Sequence, residues 1–165
     1  MIVFCILYGV ISLTFKYYGE LITYICMSLP MSALSLFSWL KNPSDKGKSE
    51  VKASKLVKKD VVLLFVLSIL VTIVFYFILK TLSTPNLIVS TFSVSTSFAA
   101  AFLSYKRSPF FALAYAFNDM VLIALWIYAT ITNLSYLATV IIFVTFLAND
   151  IYSFVCWLKR IKRQN

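Results

Sequence analysis

The sequence predicts an all-α, polytopic membrane helical bundle, and three observations carry that prediction. Of the 165 residues, 61% are apolar, 17% aromatic and 13% charged, and histidine is absent, far from the composition of an average soluble domain. The apolar residues fall in runs too long for a soluble core. The basic residues, which give a net charge of +9, crowd into the gaps between those runs.

Six runs are expected as transmembrane helices, at 1–15, 21–40, 61–79, 86–105, 110–131 and 134–158. All but the first reach the roughly 20 residues that cross about 30 Å of hydrocarbon. The first, opening "MIVFCILYGV", is short. It has no basic region before it and no small-residue cleavage site after it, so it reads as a spanning helix and not as a signal peptide.

Between the second and third runs, "KNPSDKGKSEVKASKLVKKD" holds seven lysines; Lys106 and Arg107 follow the fourth run, and Lys159, Arg160, Lys162 and Arg163 follow the sixth. These make 13 of the 15 basic residues, all on one side under this arrangement, with Lys16 and Lys80 on the other. Lysine and arginine concentrate on the cytoplasmic side, so both ends of the chain are expected there. The charge is thereby explained as topology with lipid as the surroundings, and no nucleic-acid partner is called for.

The loops carry no enzyme signature. "DKGKS" ends like a phosphate-binding loop, but the glycine required five positions before Gly47 is Asn42, and no strand precedes it. Cys5, Cys26 and Cys156 all lie in predicted spans, where thiols behave as small apolar groups, so neither a disulfide nor a metal site is implied. No nucleophile and base are paired. The chain is expected to be no enzyme and to use no cofactor.

An internal repeat organises the spans. Shifting the chain by 118 residues lays Trp39 of "LFSWLKN" on Trp157 of "SFVCWLKR" and Tyr8 on Trp126. This suggests parallel copies of the kind found in small transporters, although Trp-Lys ends also arise from an interfacial aromatic belt. On the repeat reading, residues 1–40 are a partial first copy, 41–60 a basic cytoplasmic loop, 61–85 a linking helix and short outer loop, 86–158 the second three-helix copy and 159–165 a basic tail. The first copy then lacks one N-terminal helix, and a shortened chain or a late start is expected.

The informative residues are the polar ones inside the spans. "YAFNDMVL" places Asn118 and Asp119 in one greasy run, and "FLANDIYS" places Asn149 and Asp150 in another. A carboxylate at the bilayer centre costs about 2.5–3.5 kcal/mol on insertion scales, which helix-to-helix hydrogen bonds at about 0.6 kcal/mol each do not offset. Three uses compete: interhelical contact, the wall of a polar substrate path, and a proton relay. At spacings of three and four, Phe111, Tyr115, Leu122 and Trp126 share a helix face with Asn118 and Asp119, and Phe146, Ser153 and Trp157 share one with Asn149 and Asp150. Aromatic faces beside amides and carboxylates suit a flat heterocycle that carries hydroxyls. Leu122, Phe146 and Trp157 are assigned to ordinary packing. Ser90, Ser93, Ser97 and Ala101 read as a close-packing stripe, with Ser93 and Thr96 as possible cavity hydroxyls. Tyr152 completes the candidate substrate-binding set of Asn118, Asp119, Asn149, Asp150, Trp126, Tyr115 and Phe111.

The order "YYGE", "LPM", "FSWLKN", a lysine-rich loop, an unadorned helix, "FNDMVLIALWIY" and "FLANDIYSFVCWLKR" resembles the PnuC family of vitamin transporters over nearly the whole chain. The resemblance implies a bacterial inner-membrane facilitator for nicotinamide riboside, with seven helices arranged three plus one plus three as in the SWEET carriers. It also implies a cytoplasmic kinase that traps the nucleoside; a homo-oligomer is possible. Relatives carry thiamine or riboflavin. Two tryptophans that members place ahead of the asparagine are Phe111 and Ala114 here, leaving Phe111 and Tyr115 to supply the aromatic surface. The alternative class is a membrane protein that transports nothing, a degenerate copy or a subunit that binds a partner through its helices and basic loop.

Overall fold

The computed structural model describes residues 1–15, 17–44 and 47–164. Lys16, Asp45, Lys46 and Asn165 lie outside the described residues, and with them the side expected for Lys16 and the start of the "DKGKS" stretch. Helix α1, Ile2–Thr14, is followed by α2, Tyr18–Ile22, a π-helical segment, Thr23–Ser28, and α3, Leu29–Leu40. Then come α4, Lys58–Thr81, α5, Leu87–Tyr105, α6, Phe111–Thr132, a 3₁₀ turn, Leu134–Tyr136, and α7, Leu137–Gln164. The chain is a multi-pass membrane helical bundle.

Among the described residues, five helical segments are long and apolar enough to cross a bilayer: Tyr18–Leu40, Lys58–Thr81, Leu87–Tyr105, Phe111–Thr132 and Leu134–Lys162. The first run departs from expectation. Its 13 helical residues cover only about 20 Å at 1.5 Å per residue, short of a full crossing. The segment Tyr18–Leu40 starts three residues earlier than expected and is not uniformly α-helical. Pro30 has no N–H for the ladder, and the turn ahead of it widens into the π-helical segment instead of breaking.

The expected 41–60 loop also contains structure. Pro43–Ser44 pairs antiparallel with Gly47–Val51, and the Lys52 N–H bonds the Asn42 carbonyl at 3.0 Å. A short hairpin therefore stands where a phosphate-binding loop would need a helix N-terminus. It docks on the bundle where the Ser54 N–H meets the Arg107 carbonyl at 3.1 Å. Lys106 then ties the end of α5 to Asp60 at the start of α4 by a 2.8 Å ion pair.

Packing follows the small residues. α5 lies between α3, α4 and α6, with Ser90, Ser93, Ser97, Ala100 and Ala101 all buried, as the close-packing stripe requires. α4 packs on α5 and exposes most of its length, Val62, Phe65, Val66, Ile69 and Phe77 included, so it is the helix most bathed in lipid. At the end of the bundle away from the basic loops, Gly19 abuts the α4–α5 turn. A β-carbon there would stand 2.6 Å from both Leu79 Cδ2 and Thr84 Oγ1, so only glycine allows the approach.

Two apolar clusters result. One joins α1 and the π-helical segment to α6 and α7 through Cys5, Tyr8, Tyr24, Leu122, Trp126 and Phe143; the other joins that segment to α4 and α5 through Met27, Phe75, Leu79, Val94 and Phe98. Residues 118 apart meet twice. The Trp126 indole N–H donates to the Tyr8 hydroxyl at 2.7 Å, and the Trp39 and Trp157 rings lie edge to face with centroids 5.7 Å apart.

Candidate functional site

A cavity of about 950 Å³ lies between α1, the π-helical segment, α3, α5, α6 and α7. That is near the top of the range of about 300–1,000 Å³ typical of small-molecule sites. Its lining reaches the basic end of the bundle. There Trp39, Phe111 and Trp157 form an aromatic triangle, with Phe111 5.5 Å from Trp39 and 5.3 Å from Trp157. The Trp39 indole N–H is anchored on the Ser104 carbonyl at 2.8 Å, and the Arg160 guanidinium stacks 5.0 Å over Trp157. Trp157 thus lines the cavity as well as packing, because the helix face it shares with Asp150 and Ser153 turns inward.

The middle of the cavity is polar. Asn118, Asp119, Asn149 and Asp150 all line it, together with Tyr115 and Phe111. Asn118 is buried, and its carbonyl Oδ1 accepts from the Thr96 hydroxyl at 2.7 Å and the Ser97 hydroxyl at 2.8 Å. Its amide nitrogen is thereby left as the donor for the cavity. Asp119 is 5% exposed, and its Oδ2 is buried with no hydrogen-bond partner. On the facing helix Asn149 donates to Asp150 Oδ1 at 3.5 Å, and both retain access to the space. Among the described residues, no recorded ion pair reaches either carboxylate.

Opposite α7, the wall of α3 contributes Ser32 and Ser35, and α5 contributes Ser97. Ser93 and Thr96, the possible cavity hydroxyls of a stripe read first as packing, are not in the cavity lining: Ser93 bonds the Ser90 carbonyl, and Thr96 is spent on Asn118 and on the carbonyls of its own helix. The inner end is closed by rings. Phe4 packs 4.7 Å from Phe146 and 5.8 Å from Tyr24, and Tyr24 lies 4.4 Å from Tyr8.

Two expected substrate contacts are not on this wall. Trp126 is fully buried behind it, packed on Tyr8, Tyr17 and Tyr136, because it lies two turns beyond Asn118, past the ring floor. Tyr152 is 69% exposed. Two residues turn a helix by about 200°, so Tyr152 faces away when Asp150 faces in. Leu122 is in the apolar core, in line with its assignment to packing.

Sequence reasoning overlooked Glu20, which is 1% exposed and accepts from the Tyr8 hydroxyl at 3.4 Å. Its signal was present: it is an acidic residue inside an apolar run. It stands one residue outside the run expected at 21–40, so the pattern of polar groups within the runs did not include it.

The family model described as "Nicotinamide mononucleotide transporter" matches residues 1–159. The chain is 26% identical over 163 residues to the nicotinamide riboside transporter PnuC of Neisseria mucosa, covering 96% of this chain and 62% of that protein's length. It also superimposes on the crystal structure of the vitamin B3 transporter PnuC with a TM-score of 0.80 at 25% identity, covering 99% of this chain and 72% of that one.

Proposed function

We propose, since this chain belongs to the nicotinamide mononucleotide transporter family, that it is a facilitative carrier of nicotinamide riboside across the bacterial inner membrane. One observation carries this reading: four amide and carboxylate side chains from two helices line a single cavity whose basic end is walled by three aromatic rings. In it, Asn118, Asp119, Asn149 and Asp150 hydrogen-bond the ribosyl hydroxyls. Phe111 and Tyr115 lie along the nicotinamide ring.

Lining by two carboxylates and two amides explains why costly groups sit in the spans: the groups still unpaired, Asp119 Oδ2 and the Asn118 amide nitrogen foremost, gain partners when a polar solute arrives. The clustering of basic residues in the 41–60 segment, the α5–α6 turn and the C-terminal tail supports a cytoplasmic location for that end of the bundle and of the cavity. There a kinase that phosphorylates the nucleoside makes uptake one-way. The meeting of Tyr8 with Trp126 and of Trp39 with Trp157 supports two parallel copies related by an axis that passes between the members of each pair.

The test is uptake of radiolabelled nicotinamide riboside by proteoliposomes that hold the full chain. Saturable uptake above that of empty liposomes is expected; equal uptake, with the protein shown to be inserted, overturns the reading.

A further inference from the structure

Glu20 is the acidic side chain that the cavity does not use. It is 1% exposed, one residue from the Gly19 contact that marks the end of the bundle opposite the basic loops. Its recorded hydrogen bond is a long one from Tyr8, 3.4 Å, and among the described residues no recorded ion pair reaches it. One such bond does not offset removing a carboxylate from water. The hydroxyl of Tyr8 serves both Glu20 and Trp126, so those three side chains meet at one point. Tyr17 lies 4.9 Å from Trp126 and Tyr24 lies 4.4 Å from Tyr8, and Tyr8, Tyr17 and Tyr24 are all within electrostatic reach of Glu20.

Aromatic rings are poor company for an anion, because their faces carry the negative end of the ring quadrupole. A carboxylate and aromatic faces together attract the same thing, a cation, and best a flat or quaternised one. The box is also continuous with the cavity. Tyr24 lines the cavity and lies within electrostatic reach of both Asp119 and Glu20.

From this placement we infer that Glu20, boxed by Tyr8, Tyr17, Tyr24 and Trp126, is a second subsite for a monocationic aromatic ring, closed in this structure and occupied as the substrate crosses toward the other end. The inference rests on the proposed carriage of nicotinamide riboside, whose ring nitrogen is quaternised by its bond to ribose. It adds a charge requirement to that reading: the carrier moves pyridinium cations in preference to uncharged rings of the same shape.

The experiment compares wild type, Glu20→Gln and Glu20→Asp as full chains in proteoliposomes, with three labelled probes: nicotinamide riboside, its uncharged dihydro form, and 1-methylnicotinamide. Glu20→Gln is expected to hold the Kd for nicotinamide riboside within twofold, since the cavity is untouched. Its initial rate for that cation falls fivefold or more, while its rate for the dihydro form does not fall. Glu20→Asp, which keeps the charge, retains the wild-type ratio of cationic to neutral rates. The inference is overturned by a smaller loss of rate, by an equal loss for the dihydro form, by a Kd that weakens in step with the rate, or by a ratio that collapses in both variants. Wild type that carries 1-methylnicotinamide but not the riboside defeats the proposed function alone, and the same comparison on 1-methylnicotinamide then decides the subsite. Wild type that carries none of the cations defeats both.

Discussion

Asn118 and Asn149 are the same residue type on facing walls of the cavity, yet their surroundings give them different consequences. Asn118 is buried and holds two hydroxyls of α5, whereas Asn149 is exposed and bonds only its neighbour Asp150 at 3.5 Å. Asn118→Ala leaves the buried Ser97 hydroxyl without its acceptor, at about 1–3 kcal/mol for a stranded buried polar group, and Thr96 with only the carbonyls of its own helix. We expect it to lower both thermal stability and affinity for nicotinamide riboside. Asn149→Ala is expected to weaken binding by about tenfold, the worth of one hydrogen bond of about 1.4 kcal/mol, and to leave the melting temperature within a degree or two. Titration calorimetry and thermal melts on both variants check this, and a matching loss of stability in the two would contradict it. The pairs Asn118-Asp119 and Asn149-Asp150 were legible as functional candidates because a polar group in an apolar run is expensive wherever it ends up. Which atom of Asn118 faces the cavity was not legible, since Thr96 and Ser97, 22 and 21 residues away, decide it.

The helices were legible to within a few residues, because spans are set by runs of apolar residues and a membrane thickness, both local properties. Their ends follow cap geometry instead. α4 and α5 both close with a residue in the left-handed region, Ser83 at φ 50° and Arg107 at φ 55°, each followed by an N–H that reaches back five residues, from Thr84 to Leu79 and from Ser108 to Leu103. A side chain in that region costs about 1 kcal/mol that glycine avoids. Ser83→Gly is therefore expected to stabilise the protein by up to about 1 kcal/mol in reversible denaturation in detergent, and a destabilised variant would refute the argument. Gly19 is the reverse case. Gly19→Ala drives a methyl group into Leu79 and Thr84 and is expected to cost about 1–3 kcal/mol, read as a lower melting temperature. Nothing in "YYGE" announced that contact, because the surface that demands glycine belongs to α4 and its following turn, some 60 residues away.

The whole molecule is a bundle whose interior is split between a polar cavity that reaches the basic end and a closed aromatic cluster toward the other. A ligand that fills the cavity binds only the folded chain. Nicotinamide riboside at 100 times its Kd is therefore expected to stabilise the protein by about 2.7 kcal/mol, and a thermal shift assay that shows no shift at saturating ligand contradicts the assignment of the cavity. The proposed topology is tested separately: reporters fused to the C-terminus are expected to be active only as cytoplasmic fusions, and a periplasmic readout would reverse the orientation.

Composition, the apolar runs and the clustering of lysine and arginine determined by themselves that this is a helical membrane protein and roughly where each helix lies. Each of those properties acts over a span of about 20 residues and needs no partner. Tertiary structure alone decided that Trp126 stands behind the cavity and Trp157 on it, that Tyr152 faces out, and that Glu20 is sealed among rings. Those outcomes depend on which helix face turns toward which neighbour. That choice is made by close packing between segments far apart in the chain, and periodicity within one helix names a face without naming what it meets.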